Sequence, residues 1–549
     1  MSPSADGVSP QLATEPRGGE AERLTLSTAI DRYRWALLAV VTLVGAVIRA
    51  HGFTSGSLYQ DDAWVALPNL QPLGTAIHMT VSAPGFMLFE RFWTGLLPHT
   101  TWWAQLPSYL ASVGGIIAIF GLVRYLRFAA WIALLCALLL AVSNEATTFA
   151  THLKPYPFDL LLACGLLWLG ERARRNWSFA SLAVFAVASV LACGWSFILV
   201  LVVLGIDLVL AITVVRRRSM ALEALGTCGV ALLVTGILYE VAIKGQVTPR
   251  LRSYWRTDDL HTGSLHALVF SIRSMVHGIL GTQLSVATSP TLGGVTTAEA
   301  VLFALAITLG IIYSWRRCAL AIGVLVATLA AWAVTVIPLG SDRTEAYLYP
   351  ALLLLVAGGL RGGSTLLQRH APTIVVRIAT AVVALGAVLL LLVALLSPPT
   401  YPGGRLPGLR ALFGAGATAE HTVVIVEPGT VYPWVYDHDP TATVIFSPQF
   451  STGFNFTSTE RSVFLMWDHP GDARFNQHVI ALATPAITRL VTVGYLSAFD
   501  EPQHEATVVA LRALCWTPVT TKTADRYRVT VFTRLTGCTP TFPGEHVEG

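Results

Sequence analysis

Charged residues are scarce in this chain. Only 12% of its 549 residues are Asp, Glu, Lys or Arg, whereas a typical water-soluble domain has about 25%. Hydrophobic residues make up 54% of the chain and the mean hydropathy is +0.61. This composition excludes a water-soluble protein. Apolar runs recur between Trp35 and Val393, and the sequence therefore predicts a polytopic α-helical membrane protein with about 11 transmembrane helices of roughly 20 residues each.

Several other sequence signals are missing. The chain has no glycine-rich nucleotide loop, no internal repeat of solenoid length, and no short apolar segment followed by the cleavage site of a removable signal peptide. We expect no nucleic-acid partner. Residues 1–33 mix proline, glycine, serine and charges, which predicts a disordered N-terminal tail ahead of a membrane domain at residues 34–397.

Lysine is almost absent, with Lys154, Lys244 and Lys522 the only three among 36 basic residues. The arginines cluster after every second apolar segment, and the positive-inside rule assigns these clusters to the cytoplasm. With an odd number of spans, the N-terminus is then cytoplasmic and the C-terminal segment lies outside. The arginine and alanine bias favours a bacterial protein of the plasma membrane. The clusters are Arg124/Arg127, Arg172/Arg174/Arg175, Arg216/Arg217/Arg218, Arg316/Arg317 and Arg361/Arg369.

The residue composition changes after Leu396. Proline and glycine end the last apolar segment, and β-branched runs follow at Thr422–Val426 and Tyr527–Phe532. Such runs, bounded by turn-forming residues, are typical of strands. We therefore predict an extracytoplasmic α/β domain at residues 398–549, in addition to the membrane domain.

Two cysteines, Cys515 and Cys538, lie in this C-terminal domain. Outside the cytoplasm such a pair favours a disulfide, although two free thiols, with Cys515 packed beside Trp516, remain an alternative. Between them we predict a turn region at Pro518–Thr523 and a strand at Arg526–Thr533.

The first outer loop carries adjacent carboxylates at Asp61 and Asp62. Removing a carboxylate beside a bilayer from water costs free energy, so these side chains face water, a cation or a reacting group. In a sheltered loop one of them is suited to accept a proton from a hydroxyl nucleophile. The alternative is structural, with Asp62 as the N-cap of a helix and Asp61 solvated beside it. His78 and Glu90 lie in the same loop and are candidate acceptor-binding or supporting residues.

The second and fifth outer loops supply cations, tyrosines and further acids. Lys154 and Tyr156 either contact a ligand or anchor the chain at the membrane interface. Asp159 begins an apolar helix and needs a partner, such as Lys154 or a basic residue of another loop. In the fifth loop, Arg343 offers a planar donor fork suited to phosphate. Glu345 and Tyr347 follow it. Asp159 and Glu345 are, like His78 and Glu90, candidate acceptor-binding or supporting residues.

Five segments, taken in order, resemble motifs of the glycosyltransferase C superfamily, in the branch of protein mannosyltransferases and lipid A aminoarabinose transferases. Tyr59–Ala63 is similar to the acidic motif of its first outer loop. The remaining segments are similar to the start of its second interfacial helix, the start of its second span, its Lys/Arg-x-Tyr-x-x-Asp element and its Arg-x-x-x-Tyr-x-x-Pro loop. These segments are Ser82–Arg91, Gln105–Ser112, His152–Asp159 and Asp342–Pro350.

The resemblance implies an inverting glycosyltransferase that moves a sugar from a polyprenyl-phosphate donor to an acceptor hydroxyl on the outer face. It implies that Asp61, beside Asp62, is the catalytic base. It also implies that Lys154, Tyr156, Arg343 and Tyr347 hold the donor phosphate.

The chain departs from the family pattern in having Ser82-Ala83 before a single proline, and Asp62 where glutamate is usual. Because of these departures, the sequence does not identify the acceptor, which is a glycan, a lipid or a protein. It also leaves open whether a divalent cation is required. Membrane lipids are the other expected partners. The alternatives are a transporter or flippase for a lipid-linked sugar, and a non-catalytic scaffold for envelope assembly.

Overall fold

Long helices form the membrane part of the protein. Three short helices, α2 to α4, lie between α1 and α5, in the segment predicted to be the first outer loop. The structure, a computed structural model, describes residues 18–53, 58–79, 82–97, 100–217, 221–242, 244, 293–333 and 345–396 of this part. The helices are α1 (Gly18–Ala50), α2 (Gln60–Leu70), α3 (Leu73–Met79), α4 (Pro84–Leu96), α5 (Thr101–Tyr125), α6 (Ala130–Val142), α7 (Asn144–Thr148), α8 (Tyr156–Asn176), α9 (Phe179–Trp195), α10 (Val200–Arg217), α11 (Ala221–Ala242), α12 (Gly293–Ser314), α13 (Ala319–Ala333), α14 (Tyr349–His370) and α15 (Thr373–Leu396).

Among these described residues, four helical stretches are long and apolar enough to cross a membrane: Ala29–Ala50, Thr101–Tyr125, Phe197–Val215 and Ala346–His370. The bent pair formed by α6 and the segment Asn144–Thr151 is a fifth if it counts as one span. Shorter apolar helices occur in α9, α11, α12, α13 and α15. These helices support a polytopic membrane protein, and the count of about 11 spans stays a prediction.

Two helices extend beyond the limits that the sequence suggested. Helix α1 begins at Gly18, inside the predicted disordered tail, so for residues 18–33 that prediction was wrong. Good helix formers in Glu20–Leu24 allow the helix to continue ahead of the apolar stretch. Helix α14 runs on to His370, so Arg361 and Arg369 lie on a helix rather than in a loop.

A buried arginine joins the outer ends of three membrane helices. Arg49 is fully buried at the end of α1. Its Nε donates to the Ser112 hydroxyl on α5 at 2.8 Å, and its two terminal nitrogens donate to the carbonyls of Ala141 and Leu140 on α6 at 2.7 and 2.9 Å. A buried guanidinium is tolerated because its donors are satisfied. This contact fixes the helix ends from which the outer loops start.

The C-terminal part is an α/β domain, and the structure describes its residues 422–438, 440, 442–446, 454–457, 462–465, 487–496, 501–524 and 527–540. A five-stranded sheet has the order β4-β1-β5-β7-β6, with β4, β1 and β5 parallel, β7 antiparallel to β5, and β6 antiparallel to β7. Strands β2 and β3 form a separate antiparallel pair. The elements are β1 (Thr422–Val426), α16 (Val431–His438), β2 (Val444–Phe446), β3 (Phe454–Phe456), β4 (Ser462–Phe464), β5 (Arg489–Tyr495), α17 (Glu501–Ala513), β6 (Trp516–Ala524) and β7 (Tyr527–Arg534).

Both faces of this sheet are covered, which is why its central strands are apolar along their whole length. Along β1, Val423 and Ile425 pack in the cluster that contains Leu511 of α17. Val424 and Val426 alternate with them and pack on the other side, in the cluster that contains α16. The strand predicted at Thr422–Val426 has the same limits in the structure.

The predicted turn at Pro518–Thr523 is wrong, because these residues lie within strand β6. Proline lacks an N–H group and is normally excluded from central strands. Here β6 is an edge strand, and its pairing with β7 shifts register between Pro518 and Thr520. The edge position and the irregularity accommodate the proline.

Cys515 and Cys538 form a disulfide in the structure, with their Cα atoms 5.8 Å apart. We expect the Cys515→Ser/Cys538→Ser variant to lower the free energy of unfolding of the C-terminal domain by about 3 kcal/mol, because the bridge closes a loop of roughly 24 residues. Limited proteolysis of the membrane-inserted protein measures this as faster cleavage within residues 422–540. Thiol labelling of the denatured, unreduced C-terminal fragment is the control, and two labelled cysteines there would contradict the bridge.

The C-terminal domain packs on the first outer loop. Helix α16 lies against α2, with Trp434 and Val65 in the same apolar cluster. The Gln71 side chain donates to the Pro440 carbonyl at 3.0 Å. At the carboxyl end of β5, the Tyr495 ring is 6.2 Å from that of Tyr59, the residue just before α2. The domain therefore covers the helix that carries the two adjacent acids.

Candidate active site

The buried side chain of Asp62 connects the first and second outer loops. It lies in the first turn of α2 and its side chain is fully buried. One carboxylate oxygen, Oδ1, accepts a hydrogen bond from the Leu153 backbone N–H at 3.0 Å and lies 3.1 Å from Nδ1 of His152. The role suggested as the alternative, an N-cap, is wrong in detail, since Tyr59 occupies the N-cap position. The carboxylate instead holds a loop that lies about 90 residues away in sequence.

Asp61 lies beside this junction in a more open position. It is half-buried, whereas Asp62 is fully buried. Neighbouring residues of a helix point about 100° apart, so the two carboxylates of α2 do not share one direction. Of the pair, Asp61 is the acid that solvent and an acceptor reach.

Lys154 lies against the same helix. Its Nζ is 4.7 Å from the centre of the Trp64 ring, and the lysine is 92% buried. A cation over an aromatic face contributes about 0.5–2 kcal/mol, more as water is excluded. The interpretation of Lys154 as an exposed interface anchor is therefore wrong: its ammonium group lies against the helix that bears Asp61 and Asp62.

Glu90 is a second buried acid next to Asp62. It projects from α4, which packs on α2, and neither of its carboxylate oxygens has a hydrogen-bond partner among the described residues. Burial, and then the charge of Asp62, raise the pKa of Glu90 to about 8. At neutral pH Glu90 is therefore protonated, and it is unsuited to act as the base.

We expect the Glu90→Gln variant to change how stability depends on pH. The pKa of Glu90 is about 8 in the folded protein, above the usual 4.5 of a glutamate in water. The folded state therefore binds the extra proton, and the parent loses stability as the pH rises from about 4.5 through about 8. Glutamine, neutral at every pH, removes this loss, which is on the order of several kcal/mol when complete. Melting temperatures of parent and variant in detergent between pH 6 and 9 measure the difference, and parallel curves would contradict the assignment.

Helix α4 is held close to its neighbours at both ends. A Cβ at Gly85 would lie 2.7 Å from the Gly194 carbonyl oxygen at the end of α9, so no side chain fits there. This close approach explains why a second proline does not follow Pro84. Six residues on, Arg91 Nη1 donates to the carbonyls of Pro68 and Gln71 at 3.2 and 2.6 Å, where α2 ends. The position of Glu90 is thereby fixed against α2.

An aromatic cluster lines the other side of α4. Phe86, Phe89, Phe158 and Trp195 are in mutual contact, with ring centroids 5.0–6.2 Å apart. Pairs of this kind add about 0.5–1.5 kcal/mol each beyond the area they bury. The cluster joins α4 to the start of α8 and the end of α9, so the outer-loop helices form one rigid unit with the bundle.

Asp159, Glu345 and Tyr347 form a separate buried group, where α8 meets the turn before α14. The Tyr347 hydroxyl donates to Oγ1 of Thr328 at 3.2 Å. Asp159 accepts a hydrogen bond from Ser196 and, among the described residues, forms no ion pair. The expected salt bridge of Asp159 with Lys154 is therefore wrong, because the lysine lies over Trp64.

Tyr156 lines a small cavity next to this group. The cavity holds about 20 Å³, which is room for about one water molecule. Ser112, Glu145 and Tyr349 contribute the other polar side chains of its wall. Tyr156 is half-buried, and its ring is 5.7 Å from that of Phe149. A water-sized space next to Tyr156 is too small for a sugar.

The remaining two predicted residues lie elsewhere. His78 is exposed on α3, with its ring 6.2 Å from Phe446, so the structure places it at the contact with the C-terminal domain. Arg343 lies outside the described residues, as does the basic segment Lys244–Ser264 apart from Lys244 itself. Within the described ranges, no group of three or more His, Cys, Asp or Glu side chains is arranged to hold a metal ion.

Sequence reasoning missed His152 and Tyr59. His152 is 98% buried beside Asp62, and Tyr59 lies edge-on to it with ring centroids 6.1 Å apart. Both residues begin motif segments, Tyr59–Ala63 and His152–Asp159, but the sequence analysis gave neither of them a role. The pairing itself depends on two loops meeting, which spacing along the chain does not show.

No protein-family model matches the chain, and no curated protein matches its sequence. Its fold is similar to that of solved structures that share little sequence with it. The chain is similar to ArnT from Cupriavidus metallidurans in the apo state, with a TM-score of 0.52 and 15% identity over 92% of this chain and 98% of that one. It is equally similar to ArnT bound to undecaprenyl phosphate, with a TM-score of 0.52 and 17% identity over 91% and 98%. The resemblance drawn from the sequence motifs is confirmed at the level of the fold.

Proposed function

We propose that this protein is an inverting membrane glycosyltransferase that uses a polyprenyl-phosphate sugar. One observation carries the proposal: the second outer loop, anchored on Asp62, brings the Lys154 ammonium to the helix that bears Asp61. Transfer from a phosphate-linked sugar needs a group that accepts the acceptor's proton and a cation that stabilises the departing phosphate. The fold shared with an undecaprenyl-phosphate-binding protein supports this choice of donor.

In the proposed reaction, Asp61 accepts the proton of the acceptor hydroxyl as its oxygen bonds to the anomeric carbon. The bond from that carbon to the phosphate oxygen breaks, and its electron pair leaves with the polyprenyl phosphate. Lys154 and Arg343, with Tyr156, offset the charge that develops on this phosphate. Tyr347, buried and donating to Thr328, does not take part. Attack from the face opposite the phosphate inverts the anomeric configuration. Asp62 orients the loop that carries Lys154. Participation of a divalent cation in the reaction is left open.

The C-terminal domain has a defined place in this proposal. It covers part of α2 through Tyr495 and α16. This cover limits the access of water, which would otherwise compete with the acceptor for the sugar. The acceptor is a glycan, a lipid or a protein of the envelope, and we place the reaction on the outer face of a bacterial plasma membrane.

The test is the release of the lipid carrier. Full-length protein in vesicles is supplied with a synthetic undecaprenyl-phosphate sugar and an envelope extract of the source cell. Mass spectrometry then follows free undecaprenyl phosphate and the glycosylated product. We expect release that requires both the protein and the extract. A flippase would move the donor across the bilayer without releasing the carrier, and a scaffold would do neither, so unchanged donor would overturn the proposal.

A further inference from the structure

The opposite end of the helix bundle carries a concentration of arginines that the proposed chemistry does not use. Helix α5 has 25 residues, so Tyr125 at its end lies about 37 Å from the residues next to the candidate site. Three segments meet there: the turn after α5, the end of α8, and the turn between α12 and α13. We define the arginine cluster as Arg127, Arg175, Arg317 and Arg361.

Backbone carbonyls hold two of these arginines in place. Nη1 of Arg317 donates to the Arg127 carbonyl at 2.6 Å, and Nη1 of Arg175 donates to the Tyr125 carbonyl at 3.2 Å. Burial, followed by the charges of Arg361, Arg127 and Arg175, lowers the pKa of Arg317. The Arg317 guanidinium therefore lies close enough to those of Arg361, Arg127 and Arg175 to be repelled by them. Such a grouping of like charges attracts an anion.

Of the four arginines in the cluster, only Arg175 pairs with a described acid. Both oxygens of buried Glu171 are occupied by Arg174 and Arg175, at 2.6–2.7 Å. Asp31 lies 3.7 Å from Arg124 and 3.7 Å from Arg34. No carboxylate among the described residues pairs with Arg127, Arg317 or Arg361. These three guanidinium groups keep donors for a ligand.

Aromatic rings mark the level of this cluster in the membrane. Arg175 lies over the Tyr125 ring at 4.9 Å, and Arg317 over the Phe128 ring at 5.6 Å. Nearby, Arg316 lies over the partly exposed ring of Trp315 at 5.2 Å. Tyrosine and tryptophan concentrate where membrane meets water, which is also the level of the lipid head groups. A phosphate at that level belongs to a lipid.

We propose that the arginine cluster is a binding site for the phosphate group of an anionic membrane lipid. The planar fork of arginine matches phosphate geometry and forms paired hydrogen bonds to it. Basic pockets between helices on the cytoplasmic side suit such head groups. The site is separate from the catalytic proposal and takes a diacyl lipid rather than the polyprenyl donor.

The test measures lipid retention directly. Purified full-length protein in neutral detergent is mixed with phosphatidylglycerol or with phosphatidylcholine of the same acyl chains, and bound lipid is counted by native mass spectrometry. We expect phosphatidylglycerol to be retained preferentially. The Arg127→Gln/Arg361→Gln variant should bind it about 30-fold more weakly, from the loss of two surface charges. The matched control is Arg369→Gln/Arg512→Gln, which removes two exposed arginines outside the cluster and should bind like the parent.

Three outcomes overturn the proposal. One is equal retention of the two lipids by the parent, which needs no variant and so decides the question even if the double variant fails to fold. Another is equal phosphatidylglycerol affinity in parent and cluster variant when both melt at the same temperature. The last is displacement of the lipid by millimolar inorganic phosphate, which would assign the cluster to soluble phosphate.

Discussion

Asp61→Asn should abolish most sugar transfer while leaving membrane insertion and donor binding intact. Asparagine has nearly the same shape as aspartate but cannot take up the acceptor's proton, and general-base contributions are typically about 10²–10⁴-fold. Asp61 is half-buried and is not the residue that holds the second outer loop, so the fold should survive the change. The measurement is the rate of undecaprenyl phosphate release under saturating donor, compared with the parent.

Two other acids provide controls for this result. Glu90→Gln replaces a carboxyl group that is already protonated at neutral pH, because its pKa is raised to about 8, and should keep near-parental transfer at pH 7. Asp62→Asn should instead loosen the loop that carries Lys154, and so raise the donor concentration needed for half-maximal rate. An Asp61→Asn protein with near-normal turnover would exclude Asp61 as the base and move that role to Asp62.

Lys154→Ala should weaken donor binding by about 10–100-fold, because a hydrogen bond to a charged group contributes about 1.5–3 kcal/mol. Arg343→Ala should act in the same direction. Arg343→Lys should recover only part of the loss, since lysine keeps the charge but lacks the paired donors. Binding is measured with a fluorescent or radiolabelled polyprenyl-phosphate sugar on the purified protein.

Lys244 offers a matched lysine control. It is exposed, just after the end of α11, and forms an ion pair with Glu240 of that helix at 2.8 Å, a contact of the kind that contributes little. Lys244→Ala should bind the donor like the parent. Unchanged donor affinity in both Lys154→Ala and Arg343→Ala would show that the phosphate lies elsewhere.

Local features of this protein could be predicted from the sequence because they depend on near neighbours. The apolar helices follow from composition, and strand β1 follows from five consecutive β-branched residues, Thr422–Val426. The turn at Pro518–Thr523 failed because proline was taken to end a strand, whereas an edge position with a register shift tolerates it.

The site was predictable only as a set of residues, not as an arrangement. The acid pair and Lys154 were identified, but two contacts that organise them were not: His152 with Asp62, and Lys154 with Trp64. Each contact joins loops about 90 residues apart, and such pairings depend on how helices pack. The sequence also did not show which of the acids are buried. Burial nevertheless distinguishes Asp62 from Asp61 and keeps Glu90 protonated.

The packing of the C-terminal domain on α2 has a consequence for the order in which the protein matures. Gln71 and its hydrogen-bond partner Pro440 are 369 residues apart, so a ribosome adding about 5–20 residues per second needs roughly 20–75 s to make the second after the first. During that interval the apolar side of α2, including Val65 and Leu67, has no domain to cover it. A nascent or truncated chain would hold every acid and lysine of the candidate site yet lack the domain that covers α2. The candidate site is therefore complete only once translation has passed Pro440.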